Sequence, residues 1–182
     1  MNTKAKRCIR DLIIFIILVI LDQWTKYWAV QRLMGNDGIP LIKGVLELYY
    51  LPNGNTGAAF GMLSGHKWLF LLIALVVVVV IAYIIIYMPA KRKFLPMEIL
   101  LVFIAAGGAG NMIDRFIQDY VVDFIYISCI NFPIFNVADM YVSVCTVILA
   151  LIVLFRVKEE DYTELEEALA APFKKNKRKT DR

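Results

Sequence analysis

The feature that most constrains this chain is an apolar run from Trp68 to Met88 that contains no charged residue. About 20 apolar residues are enough for an α-helix to cross the hydrocarbon core of a bilayer. Three further apolar blocks, at about residues 12–30, 94–113 and 135–155, each carry at least one ionisable residue. Hydrophobic residues make up 60% of the chain, whereas roughly half would suit a soluble domain that needs a polar surface. The sequence therefore predicts an integral membrane protein with four transmembrane helices.

The first block has the alternative of being a cleaved signal peptide, since a basic start precedes an uncharged run from Leu12 to Leu21. No small-residue cleavage site follows that run. Trp24, Tyr27 and Trp28 follow it instead, and they are typical of the aromatic belt at a membrane interface. The sequence therefore favours a retained first helix.

The positions of lysine and arginine predict the orientation of the helices, because short cytoplasmic loops are enriched in both residues. Basic residues are concentrated in the amino-terminal tail, in residues 91–93 and in residues 156–158. The other connections, residues 32–66 and 114–135, carry fewer basic residues over a greater length. We therefore expect both termini to be cytoplasmic.

The carboxyl-terminal residues 159–182 form a charged tail beyond a membrane domain of residues 1–158. Residues 159–167 are acidic with a helical pattern, and residues 174–182 are basic. We interpret the tail as a solvated cytoplasmic segment. Attraction to anionic lipid is the alternative, and nucleic acid is not an expected partner of so short a membrane-tethered tail.

Residues 32–66 predict a small folded structure outside the membrane. Turn residues between Gly35 and Pro40 precede a predicted strand from Val45 to Leu51. The turn and small residues that follow, from Asn53 to Phe60, indicate tight backbone near a site.

Aspartates near the outer ends of the predicted helices are functional candidates, because ionisable groups are costly in a membrane. Asp22 and Lys26 are four residues apart, so they lie on one helical face and predict an ion pair that holds helices together. Asp114 precedes Arg115, whose side chain has two alternatives: it turns towards Asp114 or towards a substrate.

Asp123 and Asp139 differ from these because no cation lies near either in sequence and both have apolar neighbours. Two carboxylates brought together in apolar surroundings share a proton, since both cannot ionise cheaply. One can then act as a base on water while the other donates to a carbonyl oxygen, which is the chemistry of aspartic hydrolases. From spacing alone, a proton relay remains an alternative.

Other chemistries lack the residues that they need. His66 is the only histidine, so a Ser-His-Asp triad or a histidine-rich metal site is not expected. The three cysteines have no metal-site spacing. Residues 107–110 (Gly-Gly-Ala-Gly) lack the Lys-Ser/Thr of a phosphate loop and indicate close helix packing. We expect no metal and no cofactor.

Five motifs, in this order, resemble the signature of the lipoprotein signal peptidases, the type II signal peptidases of bacteria. They are Asp22-Gln23-Trp24-Thr25-Lys26, Asn55-Thr56-Gly57-Ala58-Ala59-Phe60, Gly110-Asn111-Met112-Ile113-Asp114-Arg115, Val121-Val122-Asp123-Phe124 and Phe135-Asn136-Val137-Ala138-Asp139. The resemblance runs from about residue 12 to residue 155. Together the motifs are highly specific, although each is weak alone.

The resemblance implies an all-α membrane protein of four transmembrane helices, with a small extracytoplasmic β-cradle and a short outer helix. It implies a multi-pass aspartic endopeptidase of the bacterial cytoplasmic membrane with its active site near the outer face. By motif position, Asp123 and Asp139 would be catalytic. The residues that would bind substrate are Asn55, Asn111, Arg115 and Asn136, and those that would support the site are Asp22, Lys26, Gly57 and Asp114.

The implied substrates are prolipoproteins that already carry diacylglycerol, cut just before the lipidated cysteine. The resemblance also implies membrane lipids as partners and inhibition by cyclic peptides of the globomycin type, and we expect a monomer. Cys145 and Met140 depart from the family's usual residues at positions expected beside the site. The alternative function, a small proton-coupled transporter or channel subunit, fits less well, because the polar motifs gather at one end and no repeat is visible.

Overall fold

The fold is known from a computed structural model that describes residues 3–52, 54–57 and 66–180. These ranges contain five α-helices and three short strands. In chain order they are α1 (Thr3–Leu33), β1 (Ile39–Ile42), β2 (Leu46–Leu48), α2 (Lys67–Tyr87), α3 (Leu95–Gln118), β3 (Ile125–Tyr126), α4 (Val137–Phe155) and α5 (Glu159–Thr180).

The four predicted apolar blocks are confirmed as helices α1–α4. Within the described ranges, three segments are long and apolar enough to cross a membrane: Lys67–Tyr87, Arg92–Gln118 and Val137–Phe155. Helix α1 is longer, at 31 residues, but it contains more charged residues than these three. Helix α3 is the centre of the bundle and packs against α1, α2 and α4. In the most apolar 18-residue stretch of the α3 segment 61% of the residues are buried, whereas the corresponding fractions are 6% for α2 and 11% for α4.

Small residues let the neighbouring helices approach α3 closely, as predicted. A Cβ atom at Gly107 would lie 2.5 Å from the carbonyl oxygen of Ala138 and 2.8 Å from the Val142 side chain. A Cβ atom at Gly110 would overlap the carboxylate of Asp22. Any larger residue at these positions would push α1 or the start of α4 away from α3.

The three strands form an antiparallel sheet in the order β1-β2-β3. The strand predicted over residues 45–51 is shorter than expected, since β2 ends at Leu48. Beyond it the chain continues to pair irregularly, because Tyr49 N–H donates to Phe124 O (2.9 Å) and Leu51 N–H donates to Asp123 O (3.0 Å). These bonds position the chain around Asp123.

The short outer helix expected in residues 32–66 is not found in the part of that segment that the structure describes. Asn53 and residues 58–65 lie outside the described residues, so the Ala58-Ala59-Phe60 end of the second motif does as well.

The opposite end of the bundle holds a buried ionic cluster that the sequence did not predict. Glu98, at the start of α3, lies 3.4 Å from Arg7 Nε and forms a close ion pair with Arg10. The two terminal nitrogens of Arg7 donate to the carbonyl oxygens of Ile85 and Met88. The charged start of α1 is therefore packed into the protein instead of forming a free tail.

The carboxyl-terminal segment is helical, as predicted for residues 159–167, but it is not simply solvated. Glu164 pairs with Lys91 (2.6 Å) and Lys93 (2.9 Å) in the α2–α3 connection. Tyr83 Oη donates to the carbonyl oxygen of Leu169. Helix α5 therefore contacts the end of α2 and the loop after it.

Candidate active site

Asp139 lies in the first turn of α4, where a capping box holds it in place. Asn136 is the N-cap residue, and its Oδ1 accepts a hydrogen bond from Asp139 N–H (3.0 Å). In return, Asp139 Oδ2 accepts one from Asn136 N–H (3.1 Å). This reciprocal pair satisfies two backbone donors of the helix start. The other oxygen, Oδ1, accepts from Asn111 Nδ2 (2.7 Å).

Asp123 lies in the connection between α3 and α4, just before β3, and it is only 1% exposed. Its Oδ2 accepts a hydrogen bond from Asn55 Nδ2 at 2.8 Å. Its Oδ1 accepts one from Asn136 Nδ2 at 2.7 Å. Both oxygens of this carboxyl group therefore have amide donors, as buried polar atoms require.

Asn136 connects the two aspartates. It caps the helix that carries Asp139, it donates to Asp123, and it also donates to Asn111 Oδ1 at 3.1 Å. Asn111 in turn holds Asp139. The structure thus brings together both predicted catalytic residues and the three asparagines predicted to surround them.

Asp123 and Asp139 line one cavity of about 630 Å³ with mainly apolar walls. Burial raises the pKa of the Asp123 carboxyl to about 7, and the negative charge of Asp139 acts in the same direction. The hydrogen bonds from Asn55 and Asn136 act against this rise in pKa and do not cancel it. Asp123 is therefore mainly protonated below pH 7 and about half protonated at neutral pH. Within the described residues, no group of three or more histidine, cysteine or acidic residues is placed to hold a metal ion.

Lys26 forms the predicted ion pair with Asp22, at 2.9 Å. It also has two partners that the sequence did not predict: Asp114 at 3.0 Å and Asn111 Oδ1 at 2.9 Å. Loss of the Asp22 charge would therefore still leave Lys26 paired with Asp114. The contact with Asn111 joins this ion cluster to the amides around Asp139.

The two supporting carboxylates each hold the residue directly before a candidate catalytic aspartate. Asp22 Oδ1 accepts from the N–H of Ala138 (3.0 Å), and Asp114 Oδ2 accepts from the N–H of Val122 (3.1 Å). Gln23 joins the two carboxylates, since its Nε2 donates to Asp114 Oδ1 (2.9 Å) and Asp22 Oδ2 (3.2 Å). The sequence assigned no role to Gln23, although it stands inside the first motif.

Arg115 lines the cavity, and its hydrogen bonds go to backbone carbonyl oxygens and not to Asp114. Its Nη2 donates to the carbonyl oxygen of Gly57 (2.9 Å), and its guanidinium lies 4.8 Å from the ring centre of Phe70. Gly57 N–H donates to Asn55 Oδ1 (3.0 Å), so Arg115 and Asn55 together hold this loop. The buried Arg115 Nε has no hydrogen-bond partner among the described atoms.

The two departures from the family pattern lie in different places. Met140 lines the cavity and is 45% exposed. Cys145 is 7% exposed and packs in the core cluster that contains Leu101 and Ala105. The expectation that both stand beside the site is therefore wrong for Cys145, which does not line the cavity.

Comparison with known proteins agrees with these features. The family model for signal peptidase (SPase) II matches residues 14–155. The chain is 43% identical over 148 residues to a lipoprotein signal peptidase of Streptococcus pyogenes serotype M1, a match that covers 81% of this chain and 92% of that relative.

Two solved structures of bacterial membrane enzymes, both obtained by the in meso method, share the fold. The first has a TM-score of 0.70 and 33% identity and covers 82% of this chain and 92% of the solved one. The second has a TM-score of 0.67 and 31% identity, with coverages of 82% and 94%. The match to the family model, the identity to named relatives and the shared membrane-enzyme fold place this chain in the signal peptidase II family.

Proposed function

We propose that this chain is an aspartic endopeptidase that removes the signal peptide from diacylglyceryl-modified prolipoproteins, cutting just before the lipidated cysteine. The observation that carries the proposal is the meeting of Asp123 and Asp139 in one cavity, bridged by Asn136. Membership of the signal peptidase II family supports the reaction, and relatives named lipoprotein signal peptidase support the substrate class.

In the proposed reaction the two aspartates act on one water molecule. Asp123 begins protonated, because burial and the nearby Asp139 charge raise its pKa to about 7. Asp139 takes a proton from the water, whose oxygen attacks the scissile carbonyl carbon. Asp123 gives its proton to the carbonyl oxygen, so a neutral tetrahedral diol forms. Asp139 then passes its proton to the leaving nitrogen while Asp123 recovers a proton from the diol, and the C–N bond breaks.

The polar residues around the two aspartates divide into two groups in this proposal: Asn111 and Asn136 do not line the cavity, whereas Arg115 and Asn55 do. Asn111 and Asn136 are engaged with the carboxylates, so their main effect on the substrate is to orient the reacting groups. Arg115 lines the cavity and has donor capacity to spare, since its Nη1 makes only a long contact of 3.5 Å with Asn111 O. We assign Arg115 to a carbonyl oxygen of the substrate backbone, and Asn55 to holding both Asp123 and the loop at Gly57.

We further propose that all four helices α1–α4 cross a bacterial cytoplasmic membrane, with both termini in the cytoplasm and the cavity near the outer face. The charges of α1 support its crossing because they have partners inside the protein at both ends. Arg10 pairs with Glu98 and Lys26 pairs with Asp114, and the run from Leu12 to Leu21 between them is uncharged.

In this arrangement residues 1–158 form the peptidase domain, and residues 159–182 form a cytoplasmic tail that packs on it through α5. The enzyme is expected to act as a monomer and to bind cyclic peptide inhibitors of the globomycin type. Its acyl-chain partners reach the apolar cavity walls, such as Phe135 and Val144, from the bilayer.

The test is cleavage by purified protein of two matched prolipoprotein substrates, one with a diacylglyceryl cysteine and one with an unmodified cysteine. Mass spectrometry should show a product that begins with the lipidated cysteine, and poor cleavage of the unmodified form. Asp37→Asn is the matched control for replacement of Asp123 or Asp139 by asparagine, because Asp37 is an exposed aspartate in the connection before β1. Equal cleavage of both substrates would contradict the proposed substrate class.

A further inference from the structure

A second charged site lies at the end of the bundle opposite Asp123 and Asp139. It is a pocket of about 470 Å³ between the start of α1, the α2–α3 connection and the start of α3. Its charged lining is made of Lys6, Arg7, Arg10, Lys91, Arg92 and Glu98, and we call it the basic pocket. A volume of this size is typical of sites that bind small molecules.

The floor of the basic pocket is buried and held by hydrogen bonds. Arg7 is 7% exposed and Glu98 is 2% exposed, and Arg7 Nε lies 3.4 Å from Glu98 Oε1. The Arg7 guanidinium is held by the carbonyl oxygens of Met88 (2.9 Å) and Ile85 (2.8 Å) at the end of α2. Arg7 Nε itself has no hydrogen-bond partner among the described atoms.

The pocket keeps an excess of positive charge after its ion pairs are counted. Arg10 pairs with Glu98 and with Asp11, and Lys91 pairs with Glu164 of α5 (2.6 Å). The five basic residues of the lining therefore face three carboxylates.

The two basic residues of the lining that have no acidic partner among the described residues are Lys6 and Arg92. Both side chains are exposed, and neither forms an ion pair with a residue that the structure describes. They line the pocket from two different elements, α1 and the α2–α3 connection. Such a pair of cations above a buried guanidinium suits one dianionic or monoanionic oxygen group, such as a phosphate.

The position of the pocket selects a lipid as the source of that phosphate. The apolar spans Lys67–Tyr87 and Arg92–Gln118 end and begin at the pocket, and the exposed Leu95 forms part of its wall. Leu12 and Ile13 of α1, one to two turns beyond Lys6, are 57% and 52% exposed and would meet acyl chains. A basic pocket between membrane helices is a typical binding site for anionic lipid headgroups.

We propose that the basic pocket binds the phosphate of an anionic glycerophospholipid, with Lys6 and Arg92 as the contacts that close over it. Arg10 adds a third contact from its exposed side, while Arg7 contributes a fixed positive charge from below. The site is separate from the peptidase chemistry, so it stands or falls independently of the proposed function.

The experiment measures phospholipid binding to the full chain in nanodiscs of phosphatidylcholine, titrated with phosphatidylglycerol and followed by native mass spectrometry. We expect a single phosphatidylglycerol to be retained in preference to phosphatidylcholine. Lys6→Gln combined with Arg92→Gln should weaken retention by about 30-fold, which is the effect of two basic residues near an anionic surface. Equal retention of the two lipids by the unaltered protein would overturn the proposal.

The matched control is Arg156→Gln combined with Lys158→Gln. These exposed residues follow α4 at the same end of the bundle, carry the same total charge and do not line the basic pocket. We expect the control to retain phosphatidylglycerol almost as the unaltered protein does. An equal loss in both double variants would show diffuse surface attraction and overturn the pocket.

Two further arms separate a lipid from a soluble phosphate and binding from folding. Millimolar glycerol phosphate or inorganic phosphate should fail to displace the lipid, and full displacement by either would assign the pocket to a soluble anion. The melting temperature in pure phosphatidylcholine should be the same for the unaltered protein and the pocket variant. If the double variant unfolds, the single exposed change Lys6→Gln should still weaken retention, and unchanged retention there would overturn the proposal.

Discussion

Replacement of Asp123 by asparagine tests the proposed chemistry with the smallest change of shape. Both oxygens of Asp123 accept amide N–H groups, from Asn55 at 2.8 Å and from Asn136 at 2.7 Å. Asparagine keeps one acceptor and places an NH₂ group where the other stood, so one amide donor must turn or lose its bond. An unsatisfied buried polar group costs about 1–3 kcal/mol of stability.

The expected loss of activity is much larger than this loss of stability. Asparagine at position 123 cannot give a proton to the carbonyl oxygen of the scissile bond. Loss of a general acid or base lowers the rate by roughly a hundredfold to ten-thousandfold. Asp139→Asn should have a comparable effect, since it removes the base; its single oxygen keeps the bond from Asn111 or the bond from the backbone N–H of Asn136, but not both.

The assay is the rate of cleavage of the lipidated substrate per mole of folded protein, with folding monitored by size-exclusion profile and melting temperature. Asp37→Asn makes the same chemical change at an exposed aspartate and should keep the full rate. A folded Asp123→Asn or Asp139→Asn protein that cleaves at more than about a tenth of the normal rate would refute the two-aspartate mechanism.

Three further predictions follow from the site and the topology. The protonated form of Asp123 is present below its pKa of about 7 and is lost above it. The rate of cleavage should therefore fall as the pH rises through about 7, by up to about tenfold per pH unit. A flat profile up to about pH 9 would contradict the role of Asp123 as the acid. Lys26→Gln should lower the melting temperature more than Asp22→Asn does. The first change leaves two buried carboxylates without their cation, at a cost of about 3–5 kcal/mol of stability, whereas the second leaves Lys26 paired with Asp114. The reverse order of melting temperatures would refute the shared ion cluster. A reporter that is active only outside the cytoplasm should stay inactive when it is fused after Arg182, and activity there would reverse the proposed orientation.

The helices could be predicted well from the sequence because their signal is a local excess of apolar residues. The start of α1 was the exception: Arg7 and Arg10 look like a soluble tail when only their neighbours in sequence are considered. Their partner Glu98 lies far along the chain, and only the packing of α1 on α3 brings it near. The strand over residues 45–51 was shortened for a similar reason, since Tyr49 and Leu51 pair with the irregular backbone around Asp123.

The identities of the site residues could be predicted, but their hydrogen-bond partners could not. The motif pattern named Asn111, Asn136, Asp123 and Asp139 as one group. It contained no information that Asn136 would both cap α4 and donate to Asp123, because that depends on where β3 and α4 meet. The second acidic partner of Lys26 was likewise hidden by its distance along the chain.

The ion cluster around Lys26 explains how aspartates on two different segments reach one cavity. Neither Asp22 nor Asp114 forms a hydrogen bond with the carboxyl group of Asp123 or Asp139, yet each binds the backbone N–H next to one, at Ala138 or Val122. Because Lys26 holds both supporting carboxylates, the start of α4 and the loop before β3 are tied to the same point on α1. A shift of one segment would therefore strain the hydrogen bonds at the other, so the positions of Asp123 and Asp139 are coupled through Lys26.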